Sequence, residues 1–105
     1  MTLSMEGATS RFEASPDGMT WTFRGRLDFD NVVVVLAASE ALPLPAGGRV
    51  ELGGMDKADS AALAMLFALQ RRARAEGCTL RFEGMPPGLA ALARVYGVDE
   101  LLASA

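Results

Sequence analysis

The sequence predicts an α/β domain in which helices cover a mixed four-stranded sheet, with the elements in the order β-β-α-β-α-β-α-α. Three observations lead to this prediction. An N-terminal turn signal joins two strand-like runs into a hairpin, a strand-helix-strand sequence occupies residues 49–83, and the helix inside it has clear ends. With 105 residues, 50% hydrophobic and 22% charged, the chain has the size and composition of one globular domain. We therefore expect a single domain over residues 1–105.

The hairpin is predicted over residues 11–27, after a small and polar lead-in at residues 1–10 that we expect to be loose. Residues 11–14 form a first short strand. Residues 15–18, S-P-D-G, form the turn, because proline presets φ at the second turn position and glycine tolerates positive φ. Residues 19–27 alternate large apolar and polar side chains, which is typical of a half-buried strand. We expect at least one of Trp21 and Phe23 to lie in the core.

A helix is predicted over residues 32–42, although its sequence contains conflicting signals. Four consecutive valines favour a strand, whereas a cap-like D-F-D-N at residues 28–31 and the later Ala, Ser, Glu and Leu residues favour a helix. The length of about eleven residues decides for the helix. Residues 43–48, P-L-P-A-G-G, then stop it.

Two parallel strands joined by a right-handed crossover are predicted next. A short strand at residues 49–52 leads through Gly53 and Gly54 towards the crossover helix, and residues 79–83 form the strand after it.

A final helix follows the proline-rich loop, because Pro87 suits a first helical turn and Gly97 suits a helix end. We expect residues 98–102 to form one more short helical turn and residues 103–105 to be a frayed end.

The crossover helix lies within residues 55–77. Asp59 or Ser60 can cap its first turn, and Gly77 can end its last. Helical spacing predicts a core stripe of Ala62, Met65, Leu66, Leu69 and Ala73. The same projection places a small-residue ridge on a second side, made of Ala61, Ala64, Ala68 and Ala75, and it places Leu63 and Phe67 on a third.

No polar residue occurs between residues 61 and 69, which leaves two interpretations open. Either the front half of this helix is buried inside the domain, or one of its apolar sides is covered by a partner protein. A ridge of alanines favours close approach of another backbone in either case.

The absence of histidine and the presence of one cysteine, Cys78, exclude most enzyme templates. No Ser-His-Asp or Cys-His arrangement can form, and the usual zinc sites lack their ligands. We therefore expect no catalytic residue, no metal and no cofactor. Cys78 is interpreted as a small buried apolar residue, which is the usual role of a lone cysteine that enters a strand.

The surface charge and the apolar runs argue against two further classes of partner. A net charge of −3 with no basic cluster beyond the end of one helix disfavours nucleic acid, and no apolar run reaches the roughly 18 residues of a membrane-spanning helix. The N-terminus also lacks the pattern of a signal peptide, so we expect a cytoplasmic protein without direct membrane insertion.

Three local patterns together carry a resemblance to a known family. They are G-R-L-D at residues 25–28, D-S-A-A-L at residues 59–63, and the strand, proline-rich loop and final helices after Gly77. In order and spacing they resemble the STAS domain, the fold of bacterial anti-sigma factor antagonists and of the small cytoplasmic subunit of the Mla phospholipid-transport ABC complex. The resemblance covers the chain from about residue 11.

The chain is most similar to the Mla-type subunit, which has one hydroxyl residue after the motif aspartate and an "LA-x-x-Y" final helix. This resemblance implies a non-catalytic accessory subunit that binds the ATPase subunit of an ABC transporter, peripheral to the inner membrane, and supports outer-membrane lipid asymmetry. The chain has no phosphate loop, so ATP would belong to the partner. The expected partner-binding residues are Asp28, Asp59, Ser60, Ala61, Ala64, Phe67 and Ala68. A homodimer is expected as a further form when the domain is isolated.

The alternative implied by the resemblance is an anti-sigma factor antagonist that binds a kinase-like anti-sigma factor. Such antagonists typically carry D-S-[S/T]-G and are phosphorylated at the third position. Here that position is Ala61 and the fourth is Ala62, so Ser60 is the remaining candidate phosphorylation site. An enzyme is a distant third hypothesis, with Asp28 and Asp59 as its acids.

Overall fold

The computed structural model describes residues 10–99 and residue 102. These residues contain a four-stranded sheet in the order β1-β2-β3-β4, with β1 antiparallel to β2 and the other neighbours parallel. The strands are β1 (Arg11–Ala14), β2 (Thr20–Leu27), β3 (Arg49–Ala58) and β4 (Arg81–Glu83). The helices are α1 (Val32–Glu40), α2 (Ser60–Ala75) and α3 (Pro87–Val95). The predicted mixed sheet is confirmed, as is the element order up to α3.

Predictions for the two chain ends fall mainly on residues outside the described part. The lead-in at residues 1–10 lies outside it except for Ser10, which is buried. In the turn predicted at residues 98–102, residues 99 and 102 are helical, and residues 100 and 101 lie outside the described part, as do residues 103–105.

The β1–β2 hairpin forms as the turn chemistry predicts. Gly18 has a φ of 74°, and its N–H donates to the Ser15 carbonyl at 2.9 Å. The Asp17 carboxylate accepts from the Ser15 hydroxyl at 2.7 Å and from the Met19 amide at 3.1 Å. These two hydrogen bonds lower the pKa of Asp17 from its ordinary value. The turn thus fixes the register in which Phe12 pairs with Phe23.

The strand β3 is longer than predicted, and the prediction that it ends at Leu52 is wrong. It continues to Ala58 through Gly53 and Gly54, which the sequence suggested as a break. A Cβ at Gly54 would lie 2.6 Å from the Phe23 carbonyl oxygen, and the pairing with β2 is irregular on both sides of this point. Gly54 therefore allows close approach of two strands at a bulge.

The α1 and α2 helices pack on one face of the sheet, because both crossovers run in the same direction and such connections are right-handed. Both Trp21 and Phe23 are fully buried in the core. The buried residues of α2 include the whole predicted core stripe of Ala62, Met65, Leu66, Leu69 and Ala73.

Arg72 joins the C-terminal ends of α1 and α2. Its guanidinium donates to the carbonyls of Ser39 at 3.2 Å and Leu42 at 2.7 Å, and it lies 6.0 Å from the centre of the Trp21 ring. The Trp21 indole N–H in turn donates to the Pro43 carbonyl at 3.1 Å. These contacts fix the orientation of α1 against α2.

The other face of the sheet carries charged side chains at alternating strand positions. The charged residues on this face are Arg11, Glu13, Arg24, Arg49, Glu51, Arg81 and Glu83. Ion pairs connect neighbouring strands, such as Arg24 to Glu13 at 3.1 Å and Arg49 to Glu83 at 3.0 Å. Such exposed pairs contribute little to stability but keep a sheet face hydrated. Within the described residues, the domain therefore has two layers, and its helices lie on one side.

Candidate partner-binding site

The candidate site lies where the C-terminal ends of β2 and β3 meet. The two strands are parallel, and Leu27 pairs with Ala58. The residues that follow these two positions are Asp28 and Asp59, the two motif aspartates. The extension of β3 beyond Leu52 therefore brings the start of α2 beside the loop at residues 28–31.

Asp59, rather than Ser60, is the N-cap of α2. One carboxylate oxygen accepts from the Ala61 N–H at 2.9 Å, and the other accepts from the Phe29 N–H at 3.2 Å. Ser60 is the first helical residue and is half-buried. One side chain thus caps the helix and connects it to the preceding loop.

Asp28 organises the loop rather than facing a partner with free oxygens. Its carboxylate accepts from Arg26 at 3.0 and 3.1 Å and from the Asp30 N–H at 3.0 Å, and only 14% of its side chain is exposed. Asn31 closes the loop, because its side chain accepts from the Asp28 N–H and donates to the Arg26 carbonyl. The loop backbone is therefore held from both ends.

The predicted small-residue ridge is only partly on the surface. Ala64 is exposed and Ala68 is half-buried, whereas on the third side Phe67 is half-buried and Leu63 is only 4% exposed. Ala61, by contrast, is only 5% exposed, so its methyl group packs inside the domain. Of the expected interface residues, Ala64 is exposed, and those that are half-buried are Asp28, Asp59, Ser60, Phe67 and Ala68. The interpretation that the whole front half of α2 is buried does not hold.

Three exposed apolar residues beside this site were not among the partner-binding residues predicted from the sequence. Phe29 is 71% exposed, Val33 74% and Val34 66%, although all three are large and hydrophobic. The signal was present in the four consecutive valines, because adjacent residues of a helix cannot all face one core. Only Val35 of the four is buried.

Cys78 lies away from the site, and its interpretation as a buried apolar residue is wrong. It is a free, exposed cysteine. It follows Gly77, whose φ of 76° ends α2, and it stands before β4 begins at Arg81. Its sulfur therefore lies in the connection and outside the strand interior.

The described residues carry no group of three or more aspartate, glutamate or cysteine side chains placed to hold a metal ion. None of the described helices has the length and apolar character needed to cross a membrane. The site presents a small hydroxyl, alanine methyl groups and aromatic rings beside the hydrogen-bonded carboxylates of Asp28 and Asp59. Such a surface suits protein contact.

A protein-family model described as "Mlab, STAS domain" matches residues 10–103 of the chain. A search of curated proteins gives no match.

Proposed function

The chain belongs to the family of MlaB-like STAS domains, and from this premise we propose that it is a non-catalytic accessory subunit of an ABC-type phospholipid transporter. In this role it binds the ATPase subunit and supports its assembly or activity, and so contributes to outer-membrane lipid asymmetry. The protein then resides in the cytoplasm, and the ATPase subunit attaches it to the inner membrane.

The observation that carries the proposal is the accessible start of α2. Ala64 is exposed between the half-buried Ser60 and Ala68, so a partner backbone can approach closely along this side of the helix. Phe67, also half-buried, supplies an aromatic anchor at the same level of the helix. Asp59 holds this helix end in place through its two hydrogen bonds. A rigid, small-residue surface of this kind loses little conformational entropy when a partner binds.

The chain's own residues contribute binding rather than chemistry. The Ser60 hydroxyl is placed to hydrogen-bond at the centre of the contact, and the alanine methyl groups exclude water around it. ATP is held by the partner, since this sequence contains no G-x-x-x-x-G-K-[ST] loop.

The decisive experiment compares two exposed alanines of α2 by substitution with arginine. Ala64→Arg places a long cation in the proposed contact, and Ala75→Arg places the same side chain in the last helical turn, where the helix dipole favours it. We expect Ala64→Arg to weaken binding to the ATPase subunit by about 100-fold or more, and Ala75→Arg to change it less than about twofold. Affinity is measured by calorimetry. Equal binding by both variants contradicts the proposed surface.

An anti-sigma factor antagonist is the second candidate, and the partial exposure of the half-buried Ser60 is the observation that favours it. A phosphate there would meet the positive end of α2 but also the Asp59 carboxylate beside it. Incubation with a kinase-type anti-sigma factor and ATP, followed by intact mass measurement, separates the two functions. A gain of one phosphate that Ser60→Ala abolishes favours the antagonist.

A further inference from the structure

The outward side of α1 is apolar from its start to Ala38, and the exposed Glu40 ends the helix. Val33 and Val34 are 74% and 66% exposed, and Phe29, one turn before them, is 71% exposed. We call this surface the α1 face; its exposed residues are Phe29, Val33, Val34, Ala37, Ala38 and Ala41.

Helices that are apolar on all sides are normally buried on all sides. Only Val35 and Ser39 of α1 are buried in the domain, and Val32 and Leu36 are partly covered. The helix also lacks local stabilisation, because Asn31 makes no capping hydrogen bond, the first turn has no acidic residue and the last turn has no basic residue. Four β-branched valines add to this weakness. The exposed valines of the α1 face therefore do not stabilise this helix locally.

The α1 face is continuous with the proposed contact on α2. Phe29 belongs to the loop whose N–H donates to the Asp59 cap at 3.2 Å. The Phe29 backbone is thus held at the start of α2, and Phe29 precedes Val33 by four residues. A partner docked at the start of α2 is therefore close to Phe29.

The charges at the margin of the α1 face indicate which class of partner can bind there. Asp30 and Glu40 are exposed at its two ends, and Asp59 lies beside Phe29. Two of the nearby cations are engaged within the domain: Arg26 binds Asp28, and Arg72 binds Glu76 and the carbonyls at the end of α1. Any two-fold pairing of this face with a second copy brings acidic ends towards acidic ends. An anionic lipid surface is disfavoured for the same reason.

We propose that the α1 face is a second contact for the same ATPase subunit, and that the partner presents there an apolar surface flanked by lysine or arginine. This inference rests on the proposed function. It extends the docking surface from the start of α2 across Phe29 to the valines of α1, and it specifies an apolar partner surface with a basic margin.

The test compares two charges at one exposed position. Val34→Lys and Val34→Glu both remove the apolar contact, and both replace valine by a better helix former, so circular dichroism should show a folded domain. Against a basic margin, lysine adds repulsion and glutamate adds attraction. We expect Val34→Lys to weaken binding to the ATPase subunit by about 100-fold and Val34→Glu by about tenfold. Ala75→Lys is the control and should leave affinity within about twofold.

The other outcomes distinguish a failure of the α1 contact from a failure of the proposed function. If Ala64→Arg abolishes binding while both Val34 variants bind like the wild type, the α1 contact is overturned and the proposed function stands. A stronger loss with glutamate than with lysine overturns the basic margin. A wild-type chain that does not bind the ATPase subunit overturns both proposals.

Two other partners for the α1 face, a second copy of the chain and an anionic membrane, are tested with the isolated wild-type chain. Sedimentation of a dimer that Val34→Lys dissociates would assign the α1 face to a second copy. Flotation of the wild type, but not of Val34→Glu, with vesicles of phosphatidylethanolamine and phosphatidylglycerol would assign it to the membrane. The acidic margin predicts a monomer and no flotation, in contrast to the homodimer that the sequence alone suggested for the isolated domain.

Discussion

Asp59 carries out two structural tasks with one carboxylate. One oxygen caps α2 through the Ala61 N–H, and the other holds the Phe29 N–H of the neighbouring loop. The capping task could be predicted, because aspartate before an apolar run is a common helix start. The second task could not, since it depends on how far β3 extends before α2 begins.

Two substitutions at Asp59 separate these tasks. Asp59→Ala removes both acceptors and should lower the free energy of unfolding by about 1–2 kcal/mol. Asp59→Asn keeps one carbonyl oxygen for the Ala61 N–H but loses the acceptor for Phe29, so the loss should be smaller. Urea unfolding measures both values. An asparagine variant as unstable as the alanine variant would mean that the Phe29 contact dominates.

Glu83 on the open sheet face allows a pH test. Its hydrogen bond with Arg49, at 3.0 Å, lowers the pKa of Glu83 from its ordinary value. The folded state is therefore favoured when Glu83 is ionised, and this contribution is lost as pH falls through the lowered pKa. We expect Arg49→Gln to raise the pKa of Glu83, as measured by NMR titration of its side-chain carboxyl carbon. The Asp17 pKa, which is lowered mainly by Ser15, should not change in the same variant.

Burial could be predicted for some residues of α2 and not for others. The five residues of the core stripe follow helical spacing, and all five are buried. Ala61 lies outside that stripe and is nevertheless buried, since only 5% of its surface is exposed. Periodicity describes one helix against one flat core, and it contains no information on which neighbouring loop covers the other sides. The extent of the candidate site could therefore be determined only from the structure.

At the scale of elements, β3 shows that two adjacent glycines do not always end a strand. Two adjacent glycines suggested a break, but they continue the strand because Gly54 allows the backbone of β2 to pass closely. The sequence of one strand does not reveal such an approach, since the partner atom is the carbonyl of Phe23, about thirty residues earlier. The difference matters for the site, because a strand that ended at Leu52 would leave Asp59 without its place beside Phe29.

Alanine substitutions at the two glycines provide a matched test. A Cβ at Gly54 would lie 2.6 Å from the Phe23 oxygen, whereas a Cβ at Gly53 meets no atom within 4 Å. We expect Gly54→Ala to lower the free energy of unfolding by about 1–3 kcal/mol. Gly53→Ala should be neutral or slightly stabilising. Denaturant midpoints measure the difference, and equal effects would contradict the close approach.

The α1 helix was predicted correctly against the preference of its valines. Length and the following prolines outweighed β propensity, and the structure has a helix over Val32–Glu40. Which valines face outwards could not be derived, because the helix is apolar on every side and has no polar face to set its rotation. The rotation is fixed instead by Arg72, which binds two carbonyls at the C-terminal end of the helix and its loop.

At the scale of the whole molecule, the arrangement of strands follows from the handedness rule. Right-handed crossovers and one hairpin predicted the antiparallel and parallel neighbours that are present. The same rule places both crossover helices on one face, and it leaves the charged face open. The domain is thus polar on one side, with the proposed docking residues at one end of the helical layer.

The net charge of −3 and the acidic margin of the α1 face lead to a kinetic prediction. Association with a basic partner surface is steered by charge, so its rate constant should fall about tenfold between 50 and 500 mM NaCl. Asp30→Asn should reduce this dependence, because Asp30 lies at the margin. Asp17→Asn should not, because Asp17 lies in the turn at the opposite end of β2. Stopped-flow fluorescence measures the rates, and identical slopes for both variants would contradict steering by the margin.

The exposed thiol of Cys78 has a practical consequence. It is the only cysteine of the chain, and it follows the end of α2, whose sixteen residues rise by roughly 24 Å from Ser60. Maleimide dyes or nitroxide labels can be attached there without engineering a new site. Such a reporter stands a helix length away from Ser60, so its anisotropy follows complex formation without a label at the start of α2.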